Sequence, residues 1–370
     1  MNNSVYFTDV NPLSKITITK IKNEILESIN KADFILGNAV RKFENKFSKM
    51  AKCKYAVGCA NGTDALTLSL MSLNLKKNDE VIVPGLTYIS TGLSVILNNS
   101  KLILVDIDNN TGLISIDKIK ENITKKTKAI IPVNLYGQKV DLVKLRKVIG
   151  KKISIIEDSA QSHFAFDNNN KKLISNNISD TSCYSFYPAK NMGAYGDAGI
   201  ITTNKKKLYK KLLALRNLGS VKKNKHFLIG KNSRLDTIQA VVLINKLKSI
   251  LSLNEKRRKI AKIYDENLKT IKEIKLTKTN LGSSRHLYVI RVKKRDSLIK
   301  YLKTKRIFCQ IHYPYSLNKL KAFEKKTKKI RLKNSENWSS QCLSLPIHPN
   351  LTNSHALRVV DEIKKYFRYS

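Results

Sequence analysis

The chain has few acidic residues, few cysteines and no long apolar run. Its longest apolar stretches, such as VIVPGL and AIIPVNL, are far shorter than the roughly 20 residues that a membrane-spanning helix needs. The first residues, MNNSVYFTDV, lack the basic start and the apolar segment of a secretory signal. The sequence therefore predicts a soluble, cytoplasmic protein with no membrane partner.

Cysteine is scarce, and its spacing predicts neither a disulfide framework nor a metal site. The five cysteines are an odd number at scattered positions, without a CxxC pair and without histidines at metal-ligand spacing: Cys53, Cys59, Cys183, Cys309 and Cys342. We expect reduced structural thiols and no bound metal.

Acidic residues are outnumbered, with 28 Asp and Glu against 70 Lys and Arg, which gives a net charge of +42. A charge of this size raises nucleic acid as a partner. The lysines, however, recur along nearly every expected surface helix, and no basic stripe with interleaved aromatic residues accompanies them. We therefore expect a solvated basic surface, no nucleic-acid partner, and attraction for an anionic nucleotide substrate.

The length of 370 residues predicts two domains. Between about residues 55 and 204, short apolar runs alternate with amphipathic or polar stretches, a pattern typical of an α/β fold with a mostly parallel sheet. The predicted strands are 80–84, 101–106, 129–135, 153–158, 182–187 and 198–203. Leucines at helical spacing predict a helix over 65–75, and polar residues predict an exposed loop over 167–177.

The pattern changes after Arg234. Residues 235–271 have the length and periodicity of one or two long helices. Beyond them we expect a strand at 286–292, a helix at 295–305, and a closing helix at 353–367 capped by Asn353 or Ser354. These elements predict a large domain over 1–250 and a smaller α+β domain over 251–370.

The segment from Glu157 to Gly199 carries the strongest chemical signal. An acidic strand end, EDSAQSH, is followed after 190 − 158 = 32 residues by the lysine of SFYPAKNMGAYGDAG. Pyridoxal phosphate needs an amine to hold its aldehyde and a carboxylate to keep its ring nitrogen protonated. Lys190 and Asp158 supply both, although a strand-end acid taken alone is often a structural residue.

Further residues narrow the choice. NGTDAL places Gly62 and Thr63 just before a helix, where free backbone N–H groups suit a phosphate, although an ordinary capped helix start has the same pattern. Tyr88 follows a strand and offers an aromatic face for a flat ring, although such a residue is usually packing. Ser185, five residues before Lys190, offers a hydroxyl to the same phosphate.

Together, and in this order, these segments resemble the DegT/DnrJ/StrS family of sugar-nucleotide aminotransferases. The resemblance runs nearly end to end through eight segments: GNAVRKFENKFSKMAKCKYAVGCANGTDAL, DEVIVPGLTYIST, KAIIPVNLYGQKVD, EDSAQSH, SFYPAKNMGAYGDAG, GKNSRLDTIQAVVL, QIHYPYS and CLSLPIHPNLT. So long a series rarely arises by chance. It implies the type I aminotransferase fold, with pyridoxal 5′-phosphate as cofactor.

The resemblance also implies residue roles. Lys190 would hold the cofactor as a Schiff base and act as the acid-base catalyst, with Asp158 at the ring nitrogen. The other implied cofactor contacts are Gln161 to the phenolic oxygen, Tyr88 over the ring face, Gly62, Thr63 and Ser185 on the phosphate, and Asn232 reaching the phosphate from the other subunit of a homodimer. The active site would then lie at a subunit interface.

The lysine separates two chemistries within the resemblance, because relatives that dehydrate sugars carry histidine at its position. L-glutamate is therefore the expected amino donor and a nucleotide-linked keto sugar the acceptor. Tyr187, His312 and Tyr313 would line the sugar pocket. These segments are similar to enzymes acting on dTDP-3-keto-6-deoxyhexoses, whereas C4 aminotransferases more often have Glu-Gly-Gly where this chain has GDAG.

Alternatives stay open at this point. The amino transfer could instead occur at C4 of a UDP- or dTDP-4-keto sugar. An alternative from another class of function is a non-catalytic, regulatory protein that descends from the same fold. His312 could be a structural histidine. Two residues depart from the family pattern: Met192 replaces a leucine, and Phe164 replaces a glycine, which would put a bulky side chain near the cofactor edge. His163 has no assigned role.

Overall fold

The structure, a computed structural model, describes residues 4–166, 178–222, 224–327 and 330–368. The loop predicted over 167–177 lies outside these residues. The α-helices within them are α1 Lys15–Asn30, α2 Asn38–Met50, α3 Gly62–Ser72, α4 Ile89–Leu97, α5 Ile116–Asn122, α6 Leu142–Ile149, α7 Lys206–Leu215, α8 Thr237–Leu247, α9 Ile250–Leu268, α10 Arg295–Thr304, α11 Lys333–Gln341 and α12 Asn353–Arg368.

The strands are short, as expected for runs of four to six apolar residues. They are β1 Tyr55–Cys59, β2 Glu80–Pro84, β3 Lys101–Val105, β4 Thr127–Ile130, β5 Ser154–Asp158, β6 Thr181–Ser185, β7 Gly199–Thr203, β8 Ser220–Lys222, β9 Lys225–His226, β10 Ile274–Leu276, β11 Tyr288–Val292 and β12 Cys342–Leu345. All six predicted strands of the first half are present. The third is shorter than predicted, because residues after Ile130 leave the regular ladder.

Seven strands form one sheet in the order β1-β7-β6-β5-β4-β2-β3. Only β7 runs against the others in this sheet. Strands β2 and β7 are buried along their whole length, because helices cover both faces of the sheet, and this explains why their sequences do not alternate between apolar and polar residues. The α/β class and the mostly parallel sheet are therefore confirmed.

The two long helices predicted after Arg234 are α8 and α9. Beyond them, β10, β11 and β12 form a separate antiparallel sheet, and its core includes side chains from α9, α10 and α12. Part of the C-terminal chain packs elsewhere, since Leu317, Phe323 and Leu332 join the core beneath the large sheet. The division into domains at residue 250 stays a prediction.

Two helix starts differ from the sequence prediction. Helix α3 begins at Gly62, so Gly62 and Thr63 lie in its first turn and not before it. Helix α12 begins at Asn353, and the hydroxyl that accepts a first-turn backbone N–H, that of His355 at 3.2 Å, belongs to Thr352. The prediction of Asn353 or Ser354 as cap was therefore wrong, because the capping residue precedes the first helical residue. None of the described helices is both long enough and apolar enough to span a bilayer.

Candidate active site

Four strands that run in the same direction end at one edge of the seven-stranded sheet. Gly62 follows β1, Tyr88 follows β2, Asp158 ends β5, and Ser185 ends β6 shortly before Lys190. In parallel sheets the carboxyl ends of the strands form the binding crevice. The topology thus brings together residues that lie up to 128 positions apart, from Gly62 to Lys190.

Lys190 supplies the amine of this crevice. Its backbone N–H donates to the carbonyl oxygen of Tyr187 at 2.8 Å, which fixes the turn after β6. Burial lowers the pKa of Lys190 to about 8, and the negative charge of Asp158 opposes this shift. With this pKa, roughly a tenth of the amine is neutral at pH 7, and the neutral form is the one that can accept a proton.

Asp158 supplies the carboxylate. It is buried, and its Oδ2 accepts a hydrogen bond from Thr91 Oγ1 at 2.8 Å while its Oδ1 accepts one from the backbone N–H of Ala160 at 3.1 Å. Burial raises the pKa of Asp158, and the hydrogen bonds and the nearby Lys190 counter this shift. Each oxygen retains acceptor capacity for the N–H of a ligand ring.

The first turn of α3 forms a cradle with the end of β6. A Cβ atom added at Gly62 would lie 2.5 Å from Ser185 Cβ, so this close approach requires glycine. The Asn61 side chain caps the helix by accepting from the backbone N–H of Asp64 at 2.8 Å. Thr63 Oγ1 lies 2.7 Å from Ser90 Oγ. Free backbone N–H groups at such a helix start suit a phosphate.

Gln161 connects the cofactor side of the crevice to the predicted sugar pocket. Its Oε1 accepts from the backbone N–H of Tyr136 at 2.6 Å, and its Nε2 donates to the Tyr313 hydroxyl at 2.8 Å. One amide hydrogen of Gln161 is left for a ligand oxygen. The Tyr136 hydroxyl in turn donates to the carbonyl oxygen of His312 at 2.6 Å.

The aromatic residues predicted to contact the ligands differ in their surroundings. Tyr88 is 57% exposed, and its ring centroid lies 5.7 Å from that of Tyr313. Tyr187 is 56% exposed, so its ring is available to a ligand. His312 lies 3.0 Å from Ser344 Oγ through Nδ1, and burial together with the charge of Lys190 lowers its pKa to about 4.

Asn232 does not join the other predicted residues within one chain. It is exposed, and its backbone pairs with Asn217 in an isolated antiparallel bridge. The adjacent Ser233 accepts from the backbone N–H of Ala60 at 3.2 Å through its hydroxyl. The role of Asn232 at a partner's phosphate stays a prediction.

Comparisons with known proteins bear on this crevice. The profile of the DegT/DnrJ/EryC1/StrS aminotransferase family matches residues 16–364. The chain belongs to this family.

Two relatives of this family member are named as aminotransferases of nucleotide-linked sugars. The dTDP-3-amino-3,6-dideoxy-α-D-galactopyranose transaminase of Aneurinibacillus thermoaerophilus is 39% identical over 94% of this chain and 95% of its own length. The UDP-2-acetamido-2-deoxy-3-oxo-D-glucuronate aminotransferase of Pseudomonas aeruginosa is 37% identical over 90% and 92%. The crystal structure of NtdA from Bacillus subtilis with bound PMP has a TM-score of 0.92 and 28% identity, and covers 100% of this chain and 86% of that one.

The DegT/DnrJ/EryC1/StrS aminotransferases use pyridoxal phosphate, and the crevice of this member fits that group. Its donor set contains an amine at Lys190, a buried carboxylate at Asp158 and a helix start whose Gly62 leaves no room for a Cβ atom. When bound, the cofactor supplies a conjugated ring that withdraws electrons from the carbon undergoing proton transfer. Among the described residues, no group of three or more His, Cys, Asp or Glu is arranged to hold a metal ion.

Phe164, where the family pattern has glycine, does not crowd the crevice. Its φ is +54°, a left-handed conformation that explains the family's preference for glycine. The ring is buried in an aromatic cluster, with its centroid 5.1 Å from that of Phe47. The expectation of a bulky group near the cofactor was therefore wrong, because the ring packs in the core. Met192 is buried in the same cluster, as expected of an apolar replacement.

This geometry predicts an unusual order of stabilities at position 164. We expect Phe164→Ala to lower the free energy of unfolding by about 3–5 kcal/mol, the usual cost of emptying a buried aromatic site. Phe164→Gly should cost about 1 kcal/mol less, because glycine adopts a positive φ without strain. Urea denaturation of the variants measures both values.

Phe186 provides the matched control for this prediction. It is buried in the same cluster, and it is not among the residues with a positive φ. At this position glycine should therefore be worse than alanine, by about 0.5–1 kcal/mol. If alanine is also better than glycine at position 164, the left-handed conformation of Phe164 is wrong.

Several residues of the site were missed by sequence reasoning. Asn191 Nδ2 donates to Asn254 Oδ1 and to the Ser284 carbonyl oxygen, both at 2.8 Å, and His286 Nδ1 lies 2.9 Å from Asn191 Oδ1. These partners come from distant segments, so only their meeting in the fold reveals them. Thr91 was also missed. The sequence contained a signal for it, because residues three positions apart in a helix lie on the same face, and Thr91 is three residues after Tyr88.

His163 has no hydrogen-bond partner on either ring nitrogen within the described residues. Its ring packs against Phe186, with centroids 5.4 Å apart. Burial and the charge of Lys190 lower its pKa to about 3. It is therefore a buried imidazole that is neutral near pH 7.

Proposed function

We propose that this aminotransferase transfers the amino group of L-glutamate to C3 of a dTDP-linked 3-keto-6-deoxyhexose, giving a dTDP-3-amino-3,6-dideoxyhexose. The observation that carries the aminotransferase chemistry is the meeting of Lys190 and Asp158 at one sheet edge. The finer assignment rests on the 39% identity to a transaminase whose name specifies a dTDP-linked 3-amino-3,6-dideoxy sugar.

The roles of the chain's own residues follow from their surroundings. The amino group passes from glutamate to the cofactor in one half-reaction and from the cofactor to the keto sugar in the other. In both, Lys190 Nζ moves a proton between carbon centres, for which its lowered pKa is suited. Asp158 would accept a hydrogen bond from the protonated ring nitrogen of the cofactor, and the first turn of α3 with Ser185 would hold the phosphate.

The predicted sugar pocket is supported by its position beside the cofactor residues. Tyr313 receives the hydrogen bond of Gln161, and His312 precedes it in the same segment. Because burial keeps His312 neutral at pH 7, it can bind a sugar hydroxyl without adding charge. Tyr187, exposed and three residues before Lys190, is placed to contact the same ligand.

The test is a panel of keto sugars followed by location of the new amine in each product by NMR. The panel contains a dTDP-3-keto-6-deoxyhexose, a UDP-linked 3-keto sugar, and dTDP- and UDP-linked 4-keto sugars. An amine at C3 of the dTDP sugar supports the proposal, and preferred turnover of a 4-keto sugar overturns it. A bound cofactor with no turnover of any sugar or of glutamate would favour the regulatory descendant.

The sugar-pocket residues have their own expected result. Tyr187→Phe and His312→Asn should each raise KM for the keto sugar about tenfold, because each removes about one hydrogen bond to the ligand. The half-reaction with glutamate, followed by absorbance, should change less. Tyr195→Phe is the matched control, since Tyr195 is an exposed tyrosine of the same segment whose hydroxyl contacts Asn11. If both pocket variants behave like this control, the pocket assignment is wrong.

We also propose a homodimer with shared active sites. The support is the exposed apolar surface around the β8–β9 hairpin, where Phe227 is 70% and Ile229 is 92% exposed. In the shared arrangement, Asn232 would reach the partner's phosphate cradle. Mixing Lys190→Met and Asn232→Ala subunits should then restore activity that neither variant has alone, since one site of each mixed dimer is intact. Absence of restored activity in verified mixed dimers contradicts shared sites.

A cytoplasmic location is part of the proposal. All five cysteines are free thiols, and burial raises the pKa of Cys53 to about 11 and that of Cys309 to about 12. Protonated, unpaired thiols fit a reducing compartment. Fractionation of the producing cells tests this assignment, and recovery of the protein from an oxidising compartment would contradict it.

A further inference from the structure

The first turn of α4 contacts three parts of the crevice at once. Tyr88 occupies the N-cap position of the helix, and its exposed ring lies 5.7 Å from the ring of Tyr313 between centroids. Ser90 Oγ lies 2.7 Å from Thr63 in the phosphate cradle. Thr91 Oγ1 donates to Asp158 Oδ2 at 2.8 Å. One short piece of backbone therefore fixes the ring face, the phosphate cradle and the carboxylate relative to one another.

The direction of the Thr91 hydrogen bond is determined by its partners. A carboxylate only accepts, so the Thr91 hydroxyl hydrogen is committed to Asp158. Thr87 Oγ1 lies 2.9 Å from Thr91 Oγ1, and it must then be the donor of that pair. Thr87 and Thr91 are both buried. The result is a directed chain from Thr87 through Thr91 to Asp158, in which each bond strengthens the next.

We propose that Thr91 is a positioning residue that acts through Asp158, holding this carboxylate charged and aimed at the ring nitrogen of the cofactor. The proposal rests on the assignment of Asp158 as the partner of that nitrogen.

The surroundings of Asp158 explain why such a donor matters. The ionisable groups whose charges act on this carboxyl or respond to it are Lys190, Glu157, Tyr313 and Cys183. Glu157 opposes ionisation, although its own carboxylate is engaged by Lys139, Asn134 and Ser159. Burial also opposes it. The Thr91 hydroxyl is the only side-chain hydrogen-bond donor that the described residues aim at Asp158, so its loss is not compensated.

A more basic Asp158 would draw the shared proton away from the ring nitrogen. Removing the hydroxyl should therefore act in the same direction as removing the carboxylate, but less strongly. Thr91→Val is nearly isosteric and removes only the hydroxyl, Thr91→Ser restores it, and Asp158→Asn marks the full effect. Ser94→Ala is the matched control, because Ser94 is a buried hydroxyl of the same helix that donates to the Thr91 carbonyl oxygen and not to Asp158.

The experiment measures the pH midpoint of the visible absorption band, the dissociation constant for pyridoxal phosphate, and kcat and KM with glutamate. In Thr91→Val we expect a midpoint between those of the wild type and Asp158→Asn. We also expect kcat to fall about ten- to hundred-fold, the range for losing one hydrogen bond to a charged group. Thr91→Ser and Ser94→Ala should resemble the wild type in all three measurements.

Each other outcome has a definite meaning. If Asp158→Asn shifts the midpoint and Thr91→Val does not, the proposal is overturned while the site assignment stands. If Thr91→Val shifts it and Thr91→Ser does not restore it, the methyl packing and not the hydroxyl is responsible, which also overturns the proposal. If Asp158→Asn shifts nothing, the underlying assignment of Asp158 has failed. Should Thr91→Val not fold, as judged by circular dichroism, Thr91→Ala replaces it in the same comparison.

Discussion

Replacement of Lys190 by methionine is expected to abolish the glutamate-dependent loss of the visible cofactor band and to lower turnover by about 10⁴-fold. That factor is the upper end for a positioned acid-base group, and the amine that holds the cofactor is lost as well. Methionine keeps the length of the buried stem but has no amine. Absorption spectra before and after glutamate, with pyridoxal phosphate supplied, measure the effect.

Lys246→Met is the matched control for this experiment. Lys246 is buried and Lys190 is half-buried, and in both lysines desolvation lowers the pKa to about 8. Its Nζ lies 4.7 Å from the ring centroid of Tyr195. The control should retain a band that responds to glutamate. A Lys190→Met protein that keeps such a band, or a Lys246→Met protein that loses it, would contradict the assignment of the amine.

The same substitution has a signature in the cofactor-free protein. The pKa of Lys190 is about 8 when folded, below its ordinary value of 10.5. Between these values the unfolded chain binds more protons, so wild-type stability rises with pH across this window. Below pH 8 Lys190 is mostly protonated in both the folded and the unfolded chain. The desolvation of its charge then lowers the free energy of unfolding by its full amount. Lys190→Met should therefore be more stable than the wild type at pH 7, with the advantage fading by pH 10.5 in urea denaturation.

Asp158→Asn is expected to lower kcat by about two to four orders of magnitude. The protonated ring nitrogen of the cofactor would lose its charged partner, and removing one partner of a buried ion pair costs about 3–5 kcal/mol. The substitution is isosteric. Thr91 and Ala160 donate to different oxygens of Asp158, so the single amide oxygen of asparagine can accept from only one of them. Cofactor-free protein should fold, because the variant removes a buried carboxyl whose ionisation is unfavourable. Single-turnover kinetics with glutamate measure the loss.

Glu157→Gln is the control for Asp158→Asn, because it should reduce stability without reducing activity. Glu157 is adjacent to Asp158 and equally buried, but it forms an ion pair with Lys139. Its variant should lose stability, since Lys139 would be left as a buried unpaired charge, and should retain the response of the band to glutamate. If Glu157→Gln loses the half-reaction while Asp158→Asn retains it, the roles assigned to the two acids are wrong.

The elements that sequence reasoning located are those with strong local signals. The strand Glu80–Pro84 contains an uninterrupted apolar run after Glu80, because the sheet is covered on both faces. Lys190 and Asp158 were found because their chemistry is specific to a small set of reactions. Helix starts were less certain, as at Gly62 and Asn353, because the first helical turn is defined by hydrogen bonds and not by apolar spacing.

Phe164 shows the limit of interpreting a residue by its type. The sequence records a large side chain where relatives have glycine, and size alone suggests a crowded pocket. The direction of that side chain depends on a backbone φ of +54°, which is set by the turn around it and by the aromatic cluster that receives the ring. The residues next to position 164 do not reveal this cluster, since Phe47 lies far away in the chain.

By itself, the sequence predicted the fold class and the family, which are confirmed, and the roles of Lys190 and Asp158, which stay predictions. It could do so because apolar periodicity and reactive side chains are local properties. Only the tertiary structure decided which side chains meet. Strand order placed the ends of β1, β2, β5 and β6 at one edge, and that edge aimed the Thr91 hydroxyl at Asp158, 67 positions away. A hydrogen bond depends on distance and direction between atoms, and these exist only once the sheet has formed.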